Sequence, residues 1–160
     1  MTRSFLAAVP LCLCCTSQDP TPCAPAVECS ATAIEYVCVD TALPEAASQG
    51  VRDWQRALCD RHRFQMRHHD GATDIPADCA YTILAALSSY EWVQTDAAGF
   101  ADVDRRIAWI VVDRVPDHLW RAIMAHEFGH LPGIGADGTG IMADPLTDSC
   151  ITRENVGAVP

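Results

Sequence analysis

Residues 126–130 of this chain read HEFGH. They stand in a stretch, Pro116 to Leu131, where Leu119, Ile123, His126 and His130 fall along one helical stripe and Trp120, Met124 and Phe128 along another. Side chains three and four residues apart share a helix face. A helix apolar on two sides is a buried helix, and it needs a second layer of structure to cover it. The rest of the chain therefore has to supply that layer. Pro116 and Asp117 suit the first turn of this helix, and Gly133 and Gly135 end it. Pro132 lacks an N–H and disfavours helical geometry at Leu131, which predicts that the helix stops a residue or two early.

The covering layer is legible upstream. "RIAWIVVD" (106–113) is the strongest strand, nearly continuous in apolar residues and so expected to be covered on both faces. "IEYVCV" (34–39), "RFQMRH" (63–68) and "CAYTILAAL" (79–87) are further strands by their β-branched, aromatic or alternating content. Between the first two, Pro44 and Glu45 suit the first turn of a helix whose Ala47, Val51, Trp54 and Leu58 recur at three- and four-residue steps. The segment from Tyr90 to Asp104 is ambiguous, and an edge strand within 93–103 is the candidate there. "SCITRENVGAV" (149–159) suits a short closing helix capped by Thr152. Strands and helices in this order make an α+β domain, and 160 residues are one domain's worth.

Eleven basic against 21 acidic residues give a formal charge of −10. Such a chain is a poor partner for nucleic acid or an anionic membrane surface. Residues 1–15 read as an export signal, with Arg3 as the basic start and "FLAAVPLCLCC" as an apolar core too short to span a bilayer. Cys12, Cys14 and Cys15 are candidates for the lipid-modified cysteine of a lipoprotein, although Leu11 is larger than the small residue normally wanted before that cleavage; a plain secretory signal is the alternative. Residues 16–33, rich in Pro, Ser, Thr and Ala, read as a tether, and the domain runs from 34 to 160. Six cysteines remain: Cys23, Cys29, Cys38, Cys59, Cys79 and Cys150. An even count behind an export signal predicts disulfides in an oxidising compartment, with 15 pairings open.

HExxH has a chemistry of its own. Both imidazoles, at His126 and His130, reach the same side of a helix and can bind one zinc ion, while Glu127 contacts a water bound to it. Zinc acidifies that water, and Glu127 takes its proton and passes it to a leaving amine.

"HEFGHLPGI" followed by "GIM" resembles the signature of the metzincin metalloproteases, matrixin-like in form: HExxHxxGxxH and then a methionine turn. Gly133 matches the glycine at which the chain leaves the helix, and Met142 matches the methionine that floors the metal site. The resemblance implies a zincin-like fold, with a mixed twisted sheet, a backing helix, a buried active-site helix and a C-terminal helix. It further implies a zinc endopeptidase acting on extended peptide or protein substrate along an edge strand, here within 93–103, and we expect a monomer outside the cytoplasm, secreted or lipid-anchored. The third ligand belongs at position 136, which is Ala. Asp137 is the nearest replacement, presented by the glycine-rich loop "GIGADG". The alternative is a degenerate metzincin-like binding domain that has lost this ligand.

Other donors are weaker. Glu154 lies 24 residues after His130, a separation at which other HExxH enzymes take a glutamate. His118 is about two turns from His126 and suits a surface position. His68 and His69, as strand neighbours, point to opposite faces and read with His62 as a solvated strand end. Cys23 or Cys29 could cap zinc in a latent form, but a disulfide is the plainer use.

Overall fold

The computed structural model describes residues 30–71, 73, 75–93, 96–135, 140–142, 151 and 153–158. Five strands form one sheet: β1 (Ile34–Asp40), β2 (Arg63–His69), β3 (Cys79–Ala86), β4 (Gly99–Asp102) and β5 (Ile107–Val111). Their spatial order is β2-β1-β3-β5-β4. β1 pairs in parallel with β2 and β3, and β3 with β5; β4 alone is antiparallel, joined to β5 by a hairpin with Phe100 opposite Trp109. Parallel neighbours need a crossover. Helix α1 (Glu45–Ala57) supplies the one from β1 to β2.

Period-two alternation puts Val37, Val39, Phe64, Tyr81, Ile83, Ala108 and Ile110 into a single buried core with Trp54 of α1 and Met124 and Phe128 of α2 (Trp120–His130). Phe128, Phe64 and Tyr81 meet edge to face, with centroids 5.1–5.8 Å apart. Burial raises the Tyr81 phenol above its ordinary value. On the other face of the sheet Trp109 stacks on Phe100 at 5.1 Å, with Trp92 against both. The covering expected on both faces of this strand is therefore complete on the helix side alone: Ile107 and Trp109 on the second face are half-buried, and Trp92 there is 51% exposed. β5 ends at Val111, and residues 112–114 turn as a 3-10 helix. The Asp113 carboxylate there accepts the Ser88 N–H at 2.9 Å and also the Ser88 hydroxyl.

The two long helices cross closely. A Cβ placed on Gly50 would fall 2.6 Å from the Ala125 nitrogen and 2.7 Å from the Arg121 oxygen, so no larger residue permits this approach. Trp54 Nε1 donates to the Ala125 carbonyl at 2.7 Å, and Arg121 grips Asp53 through Nε and Nη2. These contacts fix α2 against α1 and hence against the sheet.

α2 ends at His130, the early stop expected before Pro132, but the geometry of Leu131 departs from expectation. Leu131 keeps helical angles (φ −64°, ψ −40°) despite the proline after it. The reason is a Schellman motif: Ile134 N–H bonds the Gly129 carbonyl at 3.3 Å and Gly133 N–H bonds His130 at 2.9 Å, with Gly133 at φ 100°. Two closing hydrogen bonds and a left-handed glycine outweigh the local preference of a residue before proline. At the start, residues 117–119 form a 3-10 turn before the α-helix begins at Trp120.

Cys38 and Cys79 form a disulfide, and Cys59 is disulfide-bonded as well; Cys23, Cys29 and Cys150 lie outside the described residues. Ser30 and Ala31, at the end of the expected tether, bond the Cys59 carbonyl at 3.1 and 3.2 Å. The closing helix α3 spans Arg153–Ala158, with its expected cap, Thr152, outside the described residues. Arg61 donates to its Val156 carbonyl at 2.6 Å. Among the described residues no helix is long and apolar enough to cross a membrane.

Candidate functional site

His126 and His130 are half-buried, one turn apart on α2. Each ring is held from behind. His126 Nδ1 lies 2.7 Å from the Ile141 carbonyl, and His130 Nδ1 lies 2.8 Å from the Ile134 carbonyl. A carbonyl only accepts, so each Nδ1 carries the proton, and in the neutral ring each Nε2 is left with a lone pair. The two Nε2 atoms face each other at 3.2 Å. Two lone pairs at that distance repel unless a proton or a cation lies between them. Nitrogens each about 2.05 Å from a tetrahedral zinc stand about 3.3 Å apart. The donor type, the tautomer and the spacing all fit that metal.

The carbonyls come from separate pieces of chain. Ile134 follows the Schellman turn, and Ile141 belongs to the 3-10 turn Gly140–Met142. Met142 is fully buried against α2: a Cβ on Gly129 would fall 2.5 Å from its Sδ and 2.9 Å from Trp54 Cζ2. The glycine inside HEFGH is thus the place where the methionine and Trp54 approach the helix backbone.

Glu127 is buried, at 7% exposure. Its side chain lies against β4. A Cβ on Gly99 would fall 2.6 Å from Glu127 Cγ, 2.7 Å from Oε1 and 2.8 Å from Cδ. The candidate base is therefore brought to the edge strand of the sheet, which occupies 99–102 within the expected 93–103.

Of the remaining candidates, Ala136, Asp137 and the side chain of Glu154 lie outside the described residues. Among the described residues no group of three His, Cys, Asp or Glu side chains assembles. His118 is exposed, as expected. His62 pairs with Glu35 at 2.9 Å and stacks on Phe64. His68 is exposed, but His69 is not the solvated residue expected: it is 6% exposed, its Nδ1 2.7 Å from the Gly71 carbonyl. The turn at Gly71 (φ 59°) folds back over it. Sequence reading missed Gly99, Gly129 and the carbonyls of Ile134 and Ile141. Only a glycine inside a strand, a mark of close approach, could have signalled the first.

No protein-family model matches the chain, and no curated protein matches it.

Proposed function

We propose that the protein is a zinc-dependent metalloendopeptidase of metzincin type that works outside the cytoplasm, secreted or lipid-anchored. The observation that carries this reading is the facing pair of imidazole nitrogens at 3.2 Å, each fixed as a lone-pair donor by a backbone carbonyl. Such orienting partners are usual for metal-binding histidines. His126 and His130 would hold the ion, with Asp137 as third ligand in place of the histidine that Ala136 cannot be. Bound zinc supplies Lewis acidity, which lowers the pKa of water and polarises a carbonyl. Glu127 is the general base: it accepts the proton of the attacking water and delivers it to the leaving amine. Among the described residues β4 is the edge of the sheet, and it offers that edge to an extended peptide, whose backbone hydrogen bonds set it beside Glu127. Met142 packs on Gly129 between the two histidine-bearing turns of α2 and the 3-10 turn that carries Ile141.

The test is zinc content and affinity of the refolded protein beside Asp137→Ala and Glu154→Ala, with cleavage of a broad peptide library in the same samples. The expected result is about one zinc per chain, peptide cleavage, and loss of both in Asp137→Ala alone. Equal, weak zinc binding by wild type and Asp137→Ala, with no cleavage by either, would overturn it in favour of a degenerate binding domain.

A further inference from the structure

Gly99 looks like an ordinary weak point in a strand, since glycine costs conformational entropy and packs nothing. It is not needed for backbone reasons, because its φ is not left-handed. Space is what requires it. The volume that any other side chain would fill with its Cβ is occupied by Glu127, with Cγ, Oε1 and Cδ all within 2.8 Å of that point. These are distances real Cβ contacts do not show, and Glu127 has little room to yield: it is 7% exposed, on a helix whose flanking Ala125 and Phe128 are buried.

We propose that Gly99 is the positioning residue of the candidate base: its bare Cα is the seat that holds the Glu127 carboxylate against the edge strand. The seat lies on the strand that the protease reading makes the template for substrate. Gly99 also pairs with Ile110 of β5, so its place is set by the sheet and not by the loop before it. A peptide added to the outer edge of β4 takes its register from the same backbone that holds the carboxylate. The base, carried by α2, and the scissile carbonyl then share one strand as their common reference. The kinetic part of this inference rests on the protease reading; the seating of Glu127 does not.

The experiment compares Gly99→Ala with wild type and with Gly157→Ala, where an added methyl meets nothing within 4 Å. Two readouts are taken. The first is the carboxyl carbon-13 resonance of Glu127 in metal-free protein, assigned as the signal lost in Glu127→Gln. The second is kcat and KM of the zinc-loaded protein. The expected result is that Gly99→Ala moves the resonance while Gly157→Ala does not, and that Gly99→Ala lowers kcat roughly 10- to 100-fold, the scale of a misplacement near 1 Å, with KM within about twofold of wild type. An unmoved resonance in folded Gly99→Ala overturns the proposal, as does an unchanged kcat. If wild-type protein cleaves nothing, the protease reading fails, and the resonance alone decides the seat: movement supports it and constancy overturns it.

Discussion

The Cys38–Cys79 bridge joins β1 to the central strand β3 across a sequence separation of 41. Removing it with Cys38→Ala/Cys79→Ala frees the unfolded chain from a loop whose closure entropy, in the chain-entropy model, corresponds to about 4 kcal/mol at 25 °C. Cys59 sits inside that loop and is itself disulfide-bonded, so the unfolded chain stays partly cross-linked. Each halving of loop length changes the cost by only about 0.6 kcal/mol, which leaves about 3–4 kcal/mol. Near the midpoint, an unfolding entropy of about 2.1 cal/mol/K per residue over roughly 130 residues converts this to a fall in Tm of about 11–15 °C. Urea unfolding followed by tryptophan fluorescence measures it directly, and the released chain exposes more surface, so the m-value rises as the midpoint falls. A loss below about 1 kcal/mol with an unchanged m-value would refute the reasoning, since the bridge would then constrain neither state.

Three further outcomes are expected. Gly129→Ala sets a methyl against Met142 and Trp54; overpacking of about 1–3 kcal/mol exceeds the roughly 1 kcal/mol gained in helix propensity, and a thermal-melt cycle with Met142→Ala shows coupling of about 1 kcal/mol because the methyl refills space the methionine leaves. Trp54→Phe keeps most of the buried ring but deletes its bond to the Ala125 carbonyl, lowering stability by about 1–2 kcal/mol in chemical denaturation. The hydrogen bonds from Ser88 hold the Asp113 carboxyl below its ordinary 3.8. A depressed folded pKa stabilises above the unfolded value and is lost as pH falls through the folded one, so this contribution declines as the pH falls below the ordinary 3.8 and is gone below the lowered folded value. In Ser88→Ala, carbon-13 titration of Asp113 shows a midpoint moved up toward 3.8.

The elements that hydrophobic spacing alone defines were legible. α1 buries Ala47, Val51 and Trp54, the stripe read from its sequence, and the four apolar runs became β1, β2, β3 and β5. Errors came where a hydrogen bond that hydrophobic spacing does not encode decides. The apolar run at Val112 suggests more strand, but Asp113 bonded to Ser88 turns the chain there. The residue before Pro132 stays helical because Gly133 and Ile134 close the turn behind it. His69 is buried by a turn that its own strand pattern does not encode. The histidine pair and Glu127 were visible as a motif, whereas the groups that aim them, a bare Cα at 99 and two main-chain oxygens, carry no side-chain signal.

The two carbonyls behind the histidines differ in kind. His130 is aimed by Ile134, four residues away and within the helix's own closing turn, so this half of the pair is set as soon as α2 and its cap form. His126 is held by Ile141, fifteen residues away, in the 140–142 turn whose Met142 packs on Gly129. One half of the pair thus rests on a local contact and the other on a tertiary one. A partner or loop movement that lifts the 140–142 turn would break the carbonyl contact of His126 and leave that of His130 in place, without unfolding the helix.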